Sequence, residues 1–332
     1  DKLQSDLDKK LKTIYSNLDP WQTTLVARHE DRPKSKFFID NLFENFFPLY
    51  GDRLFGEDKS SITGLANFER HPVMVIGQEK GDDLNTRIER NFGMMKPEGY
   101  RKSIRLMKIA DKFGIPVIIF IDTPGAYPGV GAEERGQAEA IAKSIECSLS
   151  LGVPTISIII GEGGSGGAIA LASSNKILMF ENAIYSVISP EGCASILWRD
   201  PKKTLEAATA MKLTSKDLLK LKIIDEIILE PSGGAHRDRD QILKDLKTSI
   251  SRSLGELLAM SREDVIEQKK NKFLNIGREK GLSKNTLSSD DLFSGNLNKL
   301  VHVKNKILNK KVIIISLVFT IGLLFLSFLY LT

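Results

Sequence analysis

The chain has 332 residues, 42% hydrophobic and 27% charged, with a formal net charge of +5. That is the composition of a globular protein with a substantial core, which excludes a disordered or fibrous chain. The basic excess is mild and scattered, without the unbroken stripe of a nucleic-acid surface, so no nucleic-acid partner is expected.

The two cysteines, Cys147 and Cys193, sit in no CxxC pair and beside no paired histidines. They exclude a four-thiolate metal site in this chain and fit a reduced, cytosolic compartment. The first residue is Asp rather than Met, so the natural N-terminus is expected further upstream.

Residues 1–58 read as a helical lead-in, with Phe37, Phe38, Phe43, Phe46 and Phe47 bunched to pack on a core or a partner. From Ile62 to Gly81 the text changes to short β-like runs, notably Pro72-Val73-Met74-Val75-Ile76-Gly77. A helix is predicted over about 98–113, where Leu106, Ile109, Ala110 and Phe113 fall at i, i+3, i+4 and i+7 as one buried stripe. Two stretches then echo each other. Gly114-Ile115-Pro116 leads into the apolar run 117–121 and the turn Asp122-Thr123-Pro124-Gly125, and Gly152-Val153-Pro154 leads into the run 155–160 and a turn at Gly161. Runs apolar at nearly every position read as strands covered on both faces. A helix over roughly 132–151 joins them, and strand, turn, helix, strand at this spacing predicts a parallel crossover. Further strand-like runs follow at 176–180 and 183–187. The repeat fits either a doubly wound sheet or a spiral of ββα units.

Residues 59–236 thus read as the α/β core, and 237–311 as a helical, Lys-rich region that turns polar around 283–298. Residues 312–332 are uncharged and rich in Ile, Leu, Val and Phe. A helix of that length, rising about 1.5 Å per residue, matches the roughly 30 Å of a bilayer core. Lys304, Lys306, Lys310 and Lys311 precede it, which predicts a C-terminal anchor with the N-terminal side in the cytoplasm.

The candidate site is Gly161-Glu162-Gly163-Gly164-Ser165-Gly166-Gly167, after a strand and before an apolar helix. Glycines expose backbone amides, and amides at a helix N-terminus suit an anion. Three chemistries match these residues. A dinucleotide fingerprint, Gly161-x-Gly163-x-x-Gly166, needs a ribose-binding acid about 20 residues on, where Glu181 is the only candidate. A nucleophile elbow, Gly163-x-Ser165-x-Gly167, has Asp225 and His236 following in hydrolase order. An oxyanion hole needs only the amides. It also accounts for the second glycine-rich turn, 122–131, at the end of the neighbouring strand.

Several blocks resemble one family. Asp122-Thr123-Pro124-Gly125-Ala126-Tyr127-Pro128-Gly129, Gly131-Ala132-Glu133-Glu134-Arg135-Gly136-Gln137, the Gly161 turn, and Ser189-Pro190-Glu191-Gly192-Cys193-Ala194-Ser195-Ile196-Leu197-Trp198 look like the alpha subunit of acetyl-CoA carboxylase carboxyltransferase. So do Arg90-Asn91-Phe92-Gly93-Met94 and Pro97-Glu98-Gly99-Tyr100-Arg101-Lys102, and the likeness runs from about Trp21 to Arg237. The resemblance implies an α/β, crotonase-like spiral of ββα units with helical N- and C-terminal extensions. It implies carboxyl transfer from carboxybiotin, borne by a separate biotin carboxyl carrier protein, to acetyl-CoA, giving malonyl-CoA for fatty-acid synthesis. It further implies a beta subunit in an α2β2 assembly, with biotin carboxylase alongside. That beta subunit carries the zinc and most acetyl-CoA contacts; no metal is expected in this chain. The amides of Gly166 and Gly167 are then the expected catalytic donors to the biotin ureido oxygen. Gly163 and Gly164 shape the turn, and Pro124 and Gly125 line the biotin pocket. Glu191 and Arg135 are secondary candidates, each expected to hold the loop or the subunit interface or to form a structural ion pair. The 312–332 run and the Lys-rich region before it depart from the family's usual pattern.

Overall fold

The computed structural model describes residues 2–277; the expected Lys-rich continuation at 278–311 and the expected anchor at 312–332 lie outside the described residues. Helices α1 (Lys2–Tyr15), α2 (Pro20–Ala27) and α3 (Ser35–Leu42) lead into strands β1 (Glu44–Pro48), β2 (Ser61–Phe68) and β3 (His71–Gln78). After the short α4 (Leu84–Glu89) come α5 (Pro97–Phe113), β4 (Val117–Thr123), α6 (Val130–Glu134), α7 (Gln137–Ser150), β5 (Thr155–Gly164) and α8 (Ser165–Ala172). Then follow β6 (Lys176–Phe180), β7 (Ile184–Ser186), α9 (Pro190–Leu197), α10 (Thr204–Met211), α11 (Ser215–Lys220) and β8 (Glu226–Ile228). The long α12 (Arg239–Leu258) and α13 (Arg262–Asn275) close the described chain.

Local sequence explains several boundaries. Asp19 caps α2 through a capping box with Gln22, and Pro20 occupies the first turn, where its missing N–H costs nothing. Pro97 likewise opens α5, and Gly114, left-handed at φ 67°, ends it. Within α5, Leu106 and Ala110 are buried and Ile109 is half-buried as the helical spacing predicts, but Phe113 in the last turn is exposed. The predicted helix over 132–151 is two helices, because Gly136 takes φ 81° between α6 and α7. The N-terminal lead-in also differs from a purely helical reading. Phe46 and Phe47 lie in β1, which pairs antiparallel with β2 and starts the sheet.

The sheet runs β1-β2-β3-β4-β5-β6-β8, with β7 added alongside β5. The β1–β2 and β2–β3 pairs are antiparallel, and from β3 onward every pair is parallel. Strand order follows chain order, so among the described residues the sheet has no point at which the winding reverses. A dinucleotide fold binds at such a reversal, and its absence removes that reading of the glycine turn. Every residue of β4 and β5 is buried, as their unbroken apolar text predicts. Phe38 of α3 stacks on Phe120 of β4 at 5.8 Å and meets Phe180 of β6 edge-on at 5.5 Å, so the N-terminal helix packs directly onto the parallel strands.

Candidate functional site

The glycine turn lies where β5 becomes α8. β5 runs on past Ile160, so Gly163 and Gly164 are its last residues and pair with Tyr185 and Ser186 of β7. Ser165 then turns the chain with φ 49°, a left-handed value unusual for a non-glycine residue. Gly164, Gly167, Pro124 and Gly125 meet backbone to backbone. A Cβ on Gly164 would be driven into the Pro124 carbonyl, and one on Gly167 would lie 2.5 Å from the Gly125 carbonyl carbon. Only glycine permits that approach. The 122–131 and 161–167 turns, read separately in the sequence, are thus one piece of surface.

Other side chains fix both turns. The Gln78 amide donates to the Gly167 carbonyl at 2.8 Å, and the Thr123 hydroxyl donates to the Gly125 carbonyl at 2.6 Å. Gln137 donates to the Met95 and Tyr127 carbonyls, both at 2.9 Å. The N-terminus of α8 has no side-chain cap, so no capping side chain takes up its first amides. Beyond Ser165 and Gly166 opens a mainly apolar cavity of about 410 Å³ that includes Ile169, Tyr185, Val187 and Met211.

At the base of the turns lies a charge cluster in which Arg28 and Lys80, which no sequence motif marks, meet Asp122 and Glu162 of the two turns and Glu191 of the 189–198 block. Lys80 Nζ contacts Asp122 Oδ1 at 2.8 Å and Glu162 Oε2 at 2.7 Å, while Arg28 reaches Glu162 and Glu191, each at 2.6 Å. Burial alone would raise the Glu162 carboxyl, but Lys80 and Arg28 outweigh it and hold it below the usual range. Burial works against the Lys80 ammonium too, yet Asp122 and Glu162 leave it raised. Beside the cluster, Asn91, Phe92 and Gly93 take φ 47°, 55° and 82° in succession, a strained turn that brings Phe92 to the rim of a cavity of about 300 Å³ shared with Arg28, Lys80 and Pro124. Consecutive left-handed residues leave almost no signature in sequence beyond the Asn and Gly.

The hydrolase arrangement does not assemble. Asp225 accepts from the Ile177 amide at 2.6 Å and pairs with Lys272. His236 stacks on His29 at 3.9 Å, and its buried Nδ1 makes no hydrogen bond. The Ser165 hydroxyl is bonded to neither. Arg135 pairs with Glu98 at 2.7 Å and stacks over the Phe55 ring at 4.4 Å, in a structural ion pair. Cys147 and Cys193 are free and buried. Among the described residues no group of three or more His, Cys, Asp or Glu side chains could hold a metal ion.

A sequentially wound sheet with two abutting glycine turns at its strand ends defines a crotonase-like fold of the kind that carboxyltransferases use. The hexameric transcarboxylase 12S core, solved with methylmalonyl-coenzyme A and methylmalonic acid, superposes with a TM-score of 0.57 at 16% identity, over 70% of this chain and 42% of that one. A Pseudomonas malonate decarboxylase hetero-tetramer, solved with coenzyme A, gives 0.54 at 13% identity, over 74% and 91%. In sequence, residues 1–277 match the family described as acetyl co-enzyme A carboxylase carboxyltransferase-like. The acetyl-coenzyme A carboxylase carboxyl transferase subunit alpha of Pelagibacter ubique is 74% identical over 278 residues, covering 84% of this chain and 76% of the relative. Its counterpart in Zymomonas mobilis is 58% identical over 275 residues, covering 83% and 88%. The chain belongs to the acetyl-CoA carboxylase carboxyltransferase alpha-subunit family.

Proposed function

We propose that this chain is the alpha half of a carboxyltransferase that moves a carboxyl group from carboxybiotin to acetyl-CoA, forming malonyl-CoA for fatty-acid synthesis. The observation that carries this reading is the backbone-to-backbone junction of the 122–131 and 161–167 turns beneath an uncapped helix N-terminus.

Carboxybiotin, delivered by a biotin carboxyl carrier protein, supplies the labile carboxyl group as a substrate. The amides of Gly166 and Gly167, at the positive end of α8, act as fixed donors to an oxygen on which negative charge develops. A preorganised donor of this kind contributes about 3 kcal/mol of transition-state stabilisation. Gly163 and Gly164 set the approach of the turn, and Pro124 and Gly125 form the facing wall. The mainly apolar cavity beyond Ser165 lies next to these donors and lowers the local polarity around them. No side-chain nucleophile is needed, in keeping with the dispersal of Ser165, Asp225 and His236.

A zinc-bearing beta subunit supplies most acetyl-CoA contacts in an α2β2 assembly, and biotin carboxylase reloads the carrier. The uncharged 312–332 run behind a lysine cluster supports a membrane tether; among the described residues no helix is long and apolar enough to cross a membrane. Co-expression with a beta subunit, followed by a carboxybiotin-dependent malonyl-CoA assay, tests the activity. Failure of an assembled pair to make malonyl-CoA contradicts it. Fractionation with and without residues 312–332 tests the tether, and an unchanged distribution removes it.

A further inference from the structure

We infer that Arg28 is a positioning residue for carboxyl transfer, tying the glycine turn of β5 to the start of α9 and, together with Lys80, setting the spacing of the two glycine turns. The inference rests on the reading of those turns as half of a carboxyltransferase site.

The need for such a tie lies in the sheet. β4 and β5 stay in register from Val117↔Thr155 to Ile121↔Ile159, but the next partners are Thr123↔Gly163. The ladder slips there, β5 advancing four residues while β4 advances two before pairing resumes at Thr123↔Gly163, so the bulge at Asp122 and Glu162 is held by more than backbone pairing. Side chains take over at that point. Asp122 immediately precedes Thr123-Pro124-Gly125, and Glu162 immediately precedes Gly163-Gly164. The Glu162 amide donates to Asp122 Oδ1 at 2.9 Å, and Lys80 bridges the two carboxylates.

Arg28 completes the clamp from outside the sheet. It is the C-cap residue of α2, a helix whose start is fixed by its capping box. Its Nε donates to Glu162 Oε1 and its Nη1 to Glu191 Oε1, each at 2.6 Å. Glu191 lies in the first turn of α9, in the 189–198 block. One planar guanidinium thus joins α2, the β5 turn and α9, a fork that a lysine cannot reproduce. Arg32, Lys34, Arg87, Glu30 and His29 line the same cavity. Arg32 is committed to Glu230 and Lys34 faces Asp82, so neither substitutes for Arg28 at Glu162. Without Arg28 the buried Glu162 keeps one cation, itself shared with Asp122.

The test compares wild type, Arg28→Met, Arg28→Lys and Arg28→Met/Glu162→Gln as complexes with the beta subunit. The readouts are kcat, KM for acetyl-CoA and the pH dependence of kcat. Arg28→Met should lose roughly a hundredfold in kcat, the scale of a misplaced catalytic group, with KM for acetyl-CoA little changed. Its acid limb should move to higher pH, because Glu162 then protonates more readily, and adding Glu162→Gln should abolish that movement. Arg28→Lys should recover part of kcat. A folded Arg28→Met complex with wild-type kcat and an unmoved acid limb overturns the inference. If Arg28→Met does not fold, Glu191→Gln, which cuts the outer link, should still lower kcat several-fold; an unchanged kcat there overturns it equally. A wild-type complex without carboxyl-transfer activity instead contradicts the functional reading, and this inference falls with it.

Discussion

Gly164 and Pro124 pack backbone against backbone, leaving no space between the strand-end glycine and the Pro124 carbonyl for even one carbon. This single approach makes one surface of two turns that are distant in sequence. Gly164→Ala must therefore push the turns apart. Overpacking of this kind costs about 1–3 kcal/mol, read as a lower urea midpoint. The larger consequence should be for chemistry, with kcat falling far more than stability. Unchanged kcat in Gly164→Ala would show that the spacing of the turns is not critical.

Ser165 separates the proposed mechanism from the hydrolase alternative. Its hydroxyl contacts neither Asp225 nor His236, and His236 is stacked on His29. Ser165→Ala should leave carboxyl transfer within a few-fold of wild type, since the donors are amides. Loss of nearly all activity in that variant would restore a nucleophilic role for Ser165.

A stability prediction concerns Arg32, whose guanidinium forms a bidentate pair with Glu230 at 3.0 and 2.5 Å and also donates to the Ile160 carbonyl at 2.7 Å. Glu230 is fully buried, and burial alone would raise it, yet Arg32 and the Asn182 hydrogen bonds leave it lowered. Arg32→Ala strands a buried carboxylate and should cost about 3–5 kcal/mol by urea denaturation. A loss below about 1 kcal/mol would mean that water reaches Glu230 and satisfies it.

Much of this architecture is legible in the sequence, for physical reasons. The runs 117–121 and 155–160 are apolar at almost every position because both faces are covered, and both are buried strands. Pro97 and Gly114 bracket α5 because each suits only that end of a helix. The glycines of both turns could be identified, but the reason for Gly164 and Gly167 could not, since it is the Pro124 and Gly125 backbone lying against them. β1 was hidden in a phenylalanine-rich stretch that also suits a helix, because aromatic bunching carries no period. Glu191 is a candidate in the sequence, and Asp122 and Glu162 stand in the two turn motifs, but their pairing with Arg28 and Lys80 is invisible there for a different reason. These residues are scattered along the chain, and a charged residue looks the same in sequence whether it is solvated or buried in a pair.

Lys269 offers a pH test. Its side chain is buried, with Nζ donating to the Ser148 and Leu151 carbonyls at 2.9 and 2.8 Å, so α13 caps the C-terminal end of α7. Burial pushes its pKa from 10.5 down to about 8. Below pH 8 both folded and unfolded states carry the proton, and the fold bears the full penalty of a buried charge. Between about pH 8 and 10.5 the unfolded state binds more protons, so stability from this group rises with pH. Relative to Lys269→Met, wild type should gain about 3 kcal/mol across that window in urea titrations. A constant difference would show that Lys269 is not perturbed.

The 122–131 and 161–167 turns together form one half of the proposed carboxyltransferase site. Its most direct test is the rate of malonyl-CoA formation from carboxybiotin and acetyl-CoA by the chain assembled with a beta subunit, in wild type and in Gly167→Ala. Activity should need both subunits and fall by about a hundredfold or more in a Gly167→Ala complex that still assembles. No malonyl-CoA from the wild-type assembly, or an unimpaired Gly167→Ala complex, would contradict it.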